Sequence, residues 1–185
     1  MSISLISLDD AKSYLRVGAT GQDARLQEII QGATELAEKY TGKTWVQRTF
    51  TDVLSGGRTT LILTRRPVIS ITSVTEAARS LGAGDWTLDK PAGLLTRGVP
   101  LAPFRWLPGQ ANITVTYVAG VTDVPDDILT GVRRLIRHMW EDERGAGSAP
   151  RGGATTEWAE AWRNSSSIDR RAQELFDGEM TGGIA

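Results

Sequence analysis

The sequence predicts an α+β fold, in which a helical body is interrupted by an inserted antiparallel β-sheet or small barrel. Apolar residues recur at every third or fourth position on both sides of a central stretch that is rich in Val, Ile, Thr and aromatic residues. The composition, 40% hydrophobic and 23% charged over 185 residues, is that of an ordinary globular domain with appendages. We therefore expect a helical body at 1–43 and 123–144, a β-rich insertion at 44–122, a flexible linker at 145–155 and a C-terminal arm at 156–185.

Capping signals mark the starts of the first two predicted helices. Ser7 and Asp10 have the spacing of a capping box, in which side chains satisfy the free N–H groups of a first turn. Thr20 and Asp23 repeat this spacing. Gly42 is a natural stop, because glycine enters the left-handed cap conformation without steric penalty. The helices cover residues 8–16 and 23–41, and the second has an apolar stripe of Leu26, Ile29, Ile30, Ala33, Leu36, Ala37 and Tyr40.

The central stretch has the alternation of β-strands. Ile113, Val115 and Tyr117 alternate with threonines, as expected of a strand with one buried face. Glycine and proline supply turns at short intervals between such runs. We predict five or six antiparallel strands here, with Trp45, Trp86, Trp106 and Trp140 as core or sheet-surface residues of the folded chain.

A third amphipathic helix follows the strands, beginning at Pro125 and ending near Arg144. Proline is favoured in a first turn, where its missing N–H would have no partner, and the carboxylates of Asp126 and Asp127 complement the helix dipole. Its apolar stripe consists of Ile128, Leu129, Val132, Leu135, Ile136, Met139 and Trp140. A Gly-, Ala- and Ser-rich linker then precedes two short candidate helices, at 156–163 and 168–176.

The residue inventory predicts neither an enzyme nor a cofactor protein. The chain has no cysteine and a single histidine, His138, so thiolate metal sites, disulfides and histidine relays are not expected. It has no nucleophile elbow and no phosphate-binding loop. No apolar run reaches the roughly 20 residues that span a bilayer, so we expect no membrane contact. We expect the protein to be made in the cytoplasm.

Charge is segregated along the chain, although its net value is only −1. Residues 44–122 have a net charge of +4, whereas 1–43, 123–144 and 145–185 have −1, −2 and −2. Such a distribution suits subunits that meet through unlike surfaces, and it is far from the dense basic footprint of a dedicated DNA binder. The basic candidates for intersubunit or DNA-backbone contact are Arg65, Arg66, Arg97 and Arg105.

The aromatic residues of the tail allow two interpretations. Trp158 and Trp162 share one face of a helix, because residues four apart are neighbours, and Phe176 lies further along. The tail either folds back and completes the core of its own chain, or acts as an arm whose aromatic face fills a groove on another protein.

Several segments resemble the head–tail connector, or head–tail adaptor, proteins of long-tailed phages. The similarity covers residues 5–55 and 112–144. The region between them is similar to the variable insertion of that family only in its strand-rich composition. The order and spacing of the motifs carry the resemblance more than any one of them. The motifs are Leu8–Arg16, Asp23–Thr41, Tyr117–Ile128 with its Gly120 and Pro125, and the helix ending at Arg144.

The resemblance implies a structural protein of the virion neck. Such a protein forms a homo-oligomeric, dodecameric ring between portal and tail, extends the channel for packaged DNA without sequence-specific contact, and docks a stopper or tail protein. On this hypothesis Trp158, Trp162 and Phe176 contact the portal. Two alternatives stay open, another neck component such as a stopper or tail-completion protein, and a cytoplasmic DNA-binding module.

Overall fold

The protein consists of two compact units. The computed structural model describes residues 4–18, 20–99, 101–143 and 170–180. The helical unit is formed by residues before 42 and after 123, and the β unit by residues 42–123. The described helices are α1 (Leu8–Leu15), α2 (Asp23–Thr41), α3 (Asp126–Glu143) and α4 (Arg170–Met180).

The predicted N-terminal cap of α1 is confirmed. The Ser7 hydroxyl accepts a hydrogen bond from the Asp10 backbone N–H at 3.1 Å and donates one to the Asp10 carboxylate at 2.8 Å. Arg16 ends the helix in the left-handed conformation, at a φ of 57°. The Lys12 ammonium lies 2.5 Å from the carboxylate of Asp23, so an ion pair joins α1 to the first turn of α2.

The predicted apolar stripes of α2 and α3 form the core of the helical unit. Gly42 follows α2 with a φ of 67°, as predicted. The guanidinium of Arg25, near the start of α2, pairs with the carboxylate of Glu143 at the end of α3. Leu36, Tyr40, Leu129 and Met139 of the predicted stripes are only half-buried, and the buried members are Leu26, Ile29, Ile30, Ala33, Ala37, Ile128, Val132, Leu135, Ile136 and Trp140.

The β unit is built from two antiparallel sheets that share one core. The first sheet has the strand order β1-β8-β3-β4. The second has the order β2-β6-β5, and the short β7 also pairs with β6. The strands do not close into a barrel, so the sheet alternative is confirmed. They are β1 (Arg48–Leu54), β2 (Thr60–Ile62), β3 (Val68–Glu76), β4 (Arg79–Leu81), β5 (Trp86–Asp89), β6 (Leu94–Val99), β7 (Ala102–Pro103) and β8 (Ile113–Ala119).

The described strands number eight, more than the five or six predicted, because β2, β4 and β7 are only two or three residues long. Runs that short do not show a period-2 pattern. The longer β8 does: Ile113, Val115 and Tyr117 are fully buried, as predicted, and the residues between them are not. Trp45 and Trp106 are also buried in this unit, and Trp86 packs against its core.

The two ends of the β unit lie side by side. The Val121 backbone N–H donates to the carbonyl of Trp45 at 3.4 Å, and the Gln47 side-chain amide donates to the carbonyl of Val121 at 3.3 Å. Gly120 has a φ of 138°, and a Cβ there would lie 2.7 Å from the Cα of Gln47. Only glycine allows this approach.

Candidate interaction surface

Four large apolar side chains are exposed in and just after the β6–β7 hairpin of the β unit. Their exposed fractions are 49% for Val99, 99% for Leu101, 61% for Phe104 and 52% for Leu107. We call these four side chains the apolar tip. Isolated exposed apolar residues are ordinary, but a local group of them indicates an interaction surface.

The backbone on both sides of the apolar tip is held in place. Val99 pairs with Ala102 across the hairpin, and the Phe104 N–H donates to the carbonyl of Arg97 at 2.8 Å. Gly98 has a φ of 87°, and a Cβ there would lie 2.7 Å from the ring of Phe104. The ring therefore covers a position that only glycine can occupy without a clash.

Buried side chains anchor the base of the tip. Trp106 is fully buried, and its backbone N–H donates to the carbonyl of Arg58 at 2.9 Å. The Leu107 N–H donates to the carboxylate of Glu76 at 2.8 Å, and the side-chain amide of Asn112 donates to the Leu107 carbonyl at 2.8 Å. The side chains of the tip are thus exposed, while backbone pairs hold Val99, Phe104 and Leu107.

Arg97 is a structural residue of this base and does not belong to an exposed basic surface. Its side chain is only 16% exposed, and its guanidinium lies 3.5 Å from the carboxylate of Glu76 and 3.6 Å from that of Asp85. The guanidinium also lies over the ring of Trp106, 5.7 Å from its centre. Glu76, Asp85 and Trp106 are therefore the partners of Arg97. The sequence had suggested the same contact role for Arg97 as for Arg65, Arg66 and Arg105.

Arg65, Arg66 and Arg105 are exposed, as a contact role requires. The Arg65 guanidinium lies 5.6 Å from the centre of the Phe50 ring, within the range of a cation–π contact. Arg105 lies inside the sequence of the apolar tip and adds positive charge to it. Intersubunit or DNA contact by these three residues stays a prediction.

A buried tyrosine links the strands behind Arg65. The Tyr117 hydroxyl accepts from the Arg65 backbone N–H at 3.0 Å and donates to the carboxylate of Asp52 at 2.9 Å. The same carboxylate accepts from the Thr64 N–H at 2.7 Å. Burial raises the pKa of Tyr117 to about 12; the Arg65 N–H lowers it and the Asp52 carboxylate raises it by smaller amounts. A pKa this high keeps the hydroxyl protonated as a structural donor.

The predicted aromatic arm is divided by the structure. Trp158, Trp162 and the linker lie outside the described residues. Phe176 lies in α4 and is fully buried, with its ring centre 5.9 Å from that of Tyr40 in α2. A Cβ on Gly131 of α3 would lie 2.5 Å from the Phe176 ring, so the ring fills the space left by this glycine. Phe176 thus belongs to the core of its own chain in this structure, and portal contact by it would require α4 to leave the helical unit.

The apolar tip is the feature that sequence analysis missed. The signal was present in Leu101, Phe104 and Leu107, which stand in a proline-rich turn region where apolar residues have no strand or helix face to join. Among the described residues, no His, Asp and Glu side chains are grouped as metal ligands would be. Within the same residues, no helix is long and apolar enough to cross a bilayer.

An α+β scaffold that presents an exposed group of apolar side chains has the features of an assembly protein, which acts by binding other subunits. The head completion protein family matches residues 4–164, and the chain belongs to that family. It is a family of structural virion proteins rather than of enzymes. This membership confirms the resemblance to phage head–tail connector proteins.

Solved structures share the fold. A chain from the neck of an empty gene transfer agent (GTA) particle, with C6 symmetry, has a TM-score of 0.67 at 18% identity, covering 94% of this chain and 88% of that chain. A chain from the virion of a native GTA particle has a TM-score of 0.62 at 21% identity, covering 90% and 93%. A chain from the neck of a native GTA particle, with C12 symmetry, has a TM-score of 0.57 at 16% identity, covering 95% and 94%. No curated protein shows significant sequence similarity to the chain.

Proposed function

We propose that the protein is a structural component of a virion neck, where copies of it form a ring between the portal and the tail. Membership of the head completion protein family carries this proposal. The fold adds support, because it matches nearly the whole length of chains from GTA particle necks with C6 and C12 symmetry. By analogy with the second of these, the proposed ring has twelve copies.

A closed ring needs one surface on each copy that fits a different surface on the next. The two units of this chain provide unlike surfaces. Residues 42–123, the β unit, have a net charge of +4, and the rest of the chain has a net charge of −5. Unlike charges of this size favour head-to-tail contact over contact between identical faces, because like charges repel at a symmetric interface.

The ring extends the channel through which packaged DNA passes. A strongly cationic lining would retain the duplex, since each phosphate contact releases counterions and adds affinity. The net charge of −1 for the complete chain avoids such retention. We propose that DNA passes the ring without sequence-specific contact, and that Arg65, Arg66 and Arg105 serve contacts between subunits.

The portal is the proposed partner on the head side, and a stopper or tail protein the partner on the tail side. We assign the portal contact to Trp158 and Trp162. Aromatic residues of this kind anchor many interfaces. They lie between α3 and α4 in the sequence, so the segment that carries them is tethered to the helical unit at both ends.

Electron microscopy of purified necks tests the proposal. We expect density for a ring of this fold directly below the portal. A position further down the neck would instead identify a stopper or tail-completion protein. Absence of the chain from purified necks would contradict the proposal.

Substitution of both arm tryptophans tests the portal contact. We expect Trp158→Ala with Trp162→Ala to reduce the amount of the chain in portal-containing particles. Truncation at residue 145 would be a poorer test, because it also removes α4 from the helical core. Replacement of the exposed Met180 of α4 by Ala is the matched control. Undiminished occupancy with the double variant would exclude the arm as the anchor.

A further inference from the structure

We infer that the apolar tip of the β unit inserts against the helical unit of the neighbouring copy, as the main apolar contact between subunits. The inference rests on the proposed ring and adds to it the surface that closes each contact. The occupant is therefore a second copy of this chain.

The exposure of the tip is concentrated. Among the described residues, eight large hydrophobic side chains are exposed, and four of them belong to the tip. The others are Tyr14, Val53, Ile62 and Met180. A group of apolar side chains held in water is unfavourable unless a partner covers it, so its concentration at one place indicates a contact.

The tip is also prepared for binding. Loops that become ordered on association lose conformational freedom, which weakens binding. Here the backbone is fixed beforehand by the hairpin pair of Val99 with Ala102 and by the buried anchor Trp106. The Leu107 N–H bond to Glu76 holds the far side. The backbone at Val99, Trp106 and Leu107 therefore needs no further ordering when a partner binds.

Charge selects the helical unit of another copy as that partner. Arg58 and Arg105 are exposed, and both belong to the base or the sequence of the tip. The helical unit carries exposed carboxylates at the start of α1, at Asp9 and Asp10, and at the end of α3, at Glu141 and Asp142. An apolar surface with exposed arginines close to it along the backbone fits a surface with acidic groups.

DNA is a less suitable occupant of the tip. Phosphates bind arginine and lysine side chains and backbone N–H groups, and a duplex backbone does not cover leucine or phenylalanine side chains. The acidic groups of the helical unit, by contrast, suit the arginines near the tip, and contact with a second copy removes its apolar side chains from water. It also supplies the head-to-tail geometry that a closed ring requires.

Photo-cross-linking in assembled particles tests the inference. Leu101 is replaced by p-benzoylphenylalanine in the full chain, and the particles are irradiated after assembly. We expect a product of two copies of this chain, with the label attached to a peptide from residues 4–41 or 126–180. The same replacement at Val53, which is 59% exposed, is the matched control and should give a several-fold lower yield of that product.

The outcomes separate the inference from the proposed function. Products that join Leu101 to a portal or tail protein, or equal yields from both positions, would overturn the inference while leaving the ring in place. Absence of the wild-type chain from the particles would overturn the proposed function itself.

A second measurement does not depend on cross-linking. The pair Leu101→Ser with Phe104→Ser removes the two most exposed side chains of the tip. Because truncation of central apolar anchors weakens an interface by about 30-fold or more, we expect the neck occupancy of this variant to fall by at least about tenfold. Ile62→Ser, at another exposed apolar residue, is the control. Unchanged occupancy with an intact thermal transition would overturn the inference.

Discussion

Two carboxylates of the β unit, Asp52 and Glu76, hold the segments around them by accepting hydrogen bonds from backbone N–H groups. Asp52 bonds the Thr64 N–H and the hydroxyl of Tyr117. Glu76 is 5% exposed and bonds the N–H of Leu107 while it faces Arg97. Sequence patterns do not reveal such roles, because an acidic residue in a strand ordinarily lies on the solvent-exposed face of the sheet.

Replacement of Arg97 should destabilise the protein strongly. In Arg97→Met the Glu76 carboxylate loses its cationic partner inside the β unit, and loss of one member of a buried pair costs about 3 kcal/mol or more. We expect the free energy of unfolding in urea to fall accordingly. The exposed Arg105→Met is the control, with a change within about 0.5 kcal/mol. Similar values for the two variants would show that Arg97 is not a buried structural partner.

Tyr117 should make stability depend on alkaline pH. Its pKa is raised from 10.0 to about 12 in the folded protein, so folding favours the protonated hydroxyl. The resulting stabilisation is complete below pH 10 and is lost as the pH rises from about 10 to 12. We expect Tyr117→Phe to lose less unfolding free energy than the wild type across this interval. Parallel curves for Tyr117→Phe and the wild type would contradict the assignment.

The helices show how far periodicity reaches. α2 and α3 could be predicted because they are long, with 19 and 18 residues, so each contains several turns of an apolar stripe. The second short helix of the tail was predicted at 168–176 and is α4 at Arg170–Met180. Its docking was left open, because a stripe shows that a helix buries one face but does not say against what.

Gly131 should be the position that sets the docking of α4. In Gly131→Ala the new Cβ would lie 2.5 Å from the buried ring of Phe176, and α4 would have to shift. The strain of about 1–3 kcal/mol exceeds the helix-propensity gain of up to about 1 kcal/mol. We expect a lower free energy of unfolding and faster amide hydrogen exchange in α4.

Gly178→Ala is the matched control for this docking. Gly178 also lies in a helix interior, but no atom lies within 4 Å of its added Cβ. We expect this variant to gain up to about 1 kcal/mol, because alanine favours the helix over glycine. A Gly131→Ala protein as stable as the Gly178→Ala protein would contradict the tight contact.

The short strands and the apolar tip mark where local patterns end. β7 is two residues long, and the tip follows from a hairpin whose course depends on the left-handed Gly98 and on the buried Trp106. These contacts join residues that no periodic pattern connects. The sequence shows apolar residues in a turn region at this place, but it does not show the contacts that leave them exposed. The class of protein could therefore be predicted, whereas the geometry of the candidate site could not.

Across the complete chain, charge predicts weak affinity for DNA. Non-specific binding requires many cationic contacts with phosphates, and the net charge is −1. We expect the anisotropy of a labelled duplex, at about 0.15 M salt, to show no saturation at protein concentrations up to about 100 μM. A basic DNA-binding domain of similar size is the positive control. Saturable binding at micromolar concentration would instead favour a DNA-binding module.

The neighbouring ends of the β unit have a consequence for how such proteins diversify. The chain segments at the two ends of the β unit are joined by the hydrogen bond between the Val121 N–H and the Trp45 carbonyl. A segment closed in this way behaves as an exchangeable cassette, because its interior can be lengthened or replaced while its two junctions stay fixed. We expect grafts between relatives that keep Gly120 and the backbone bond of Val121 to fold, so new docking specificities could evolve without rebuilding the rest of the chain.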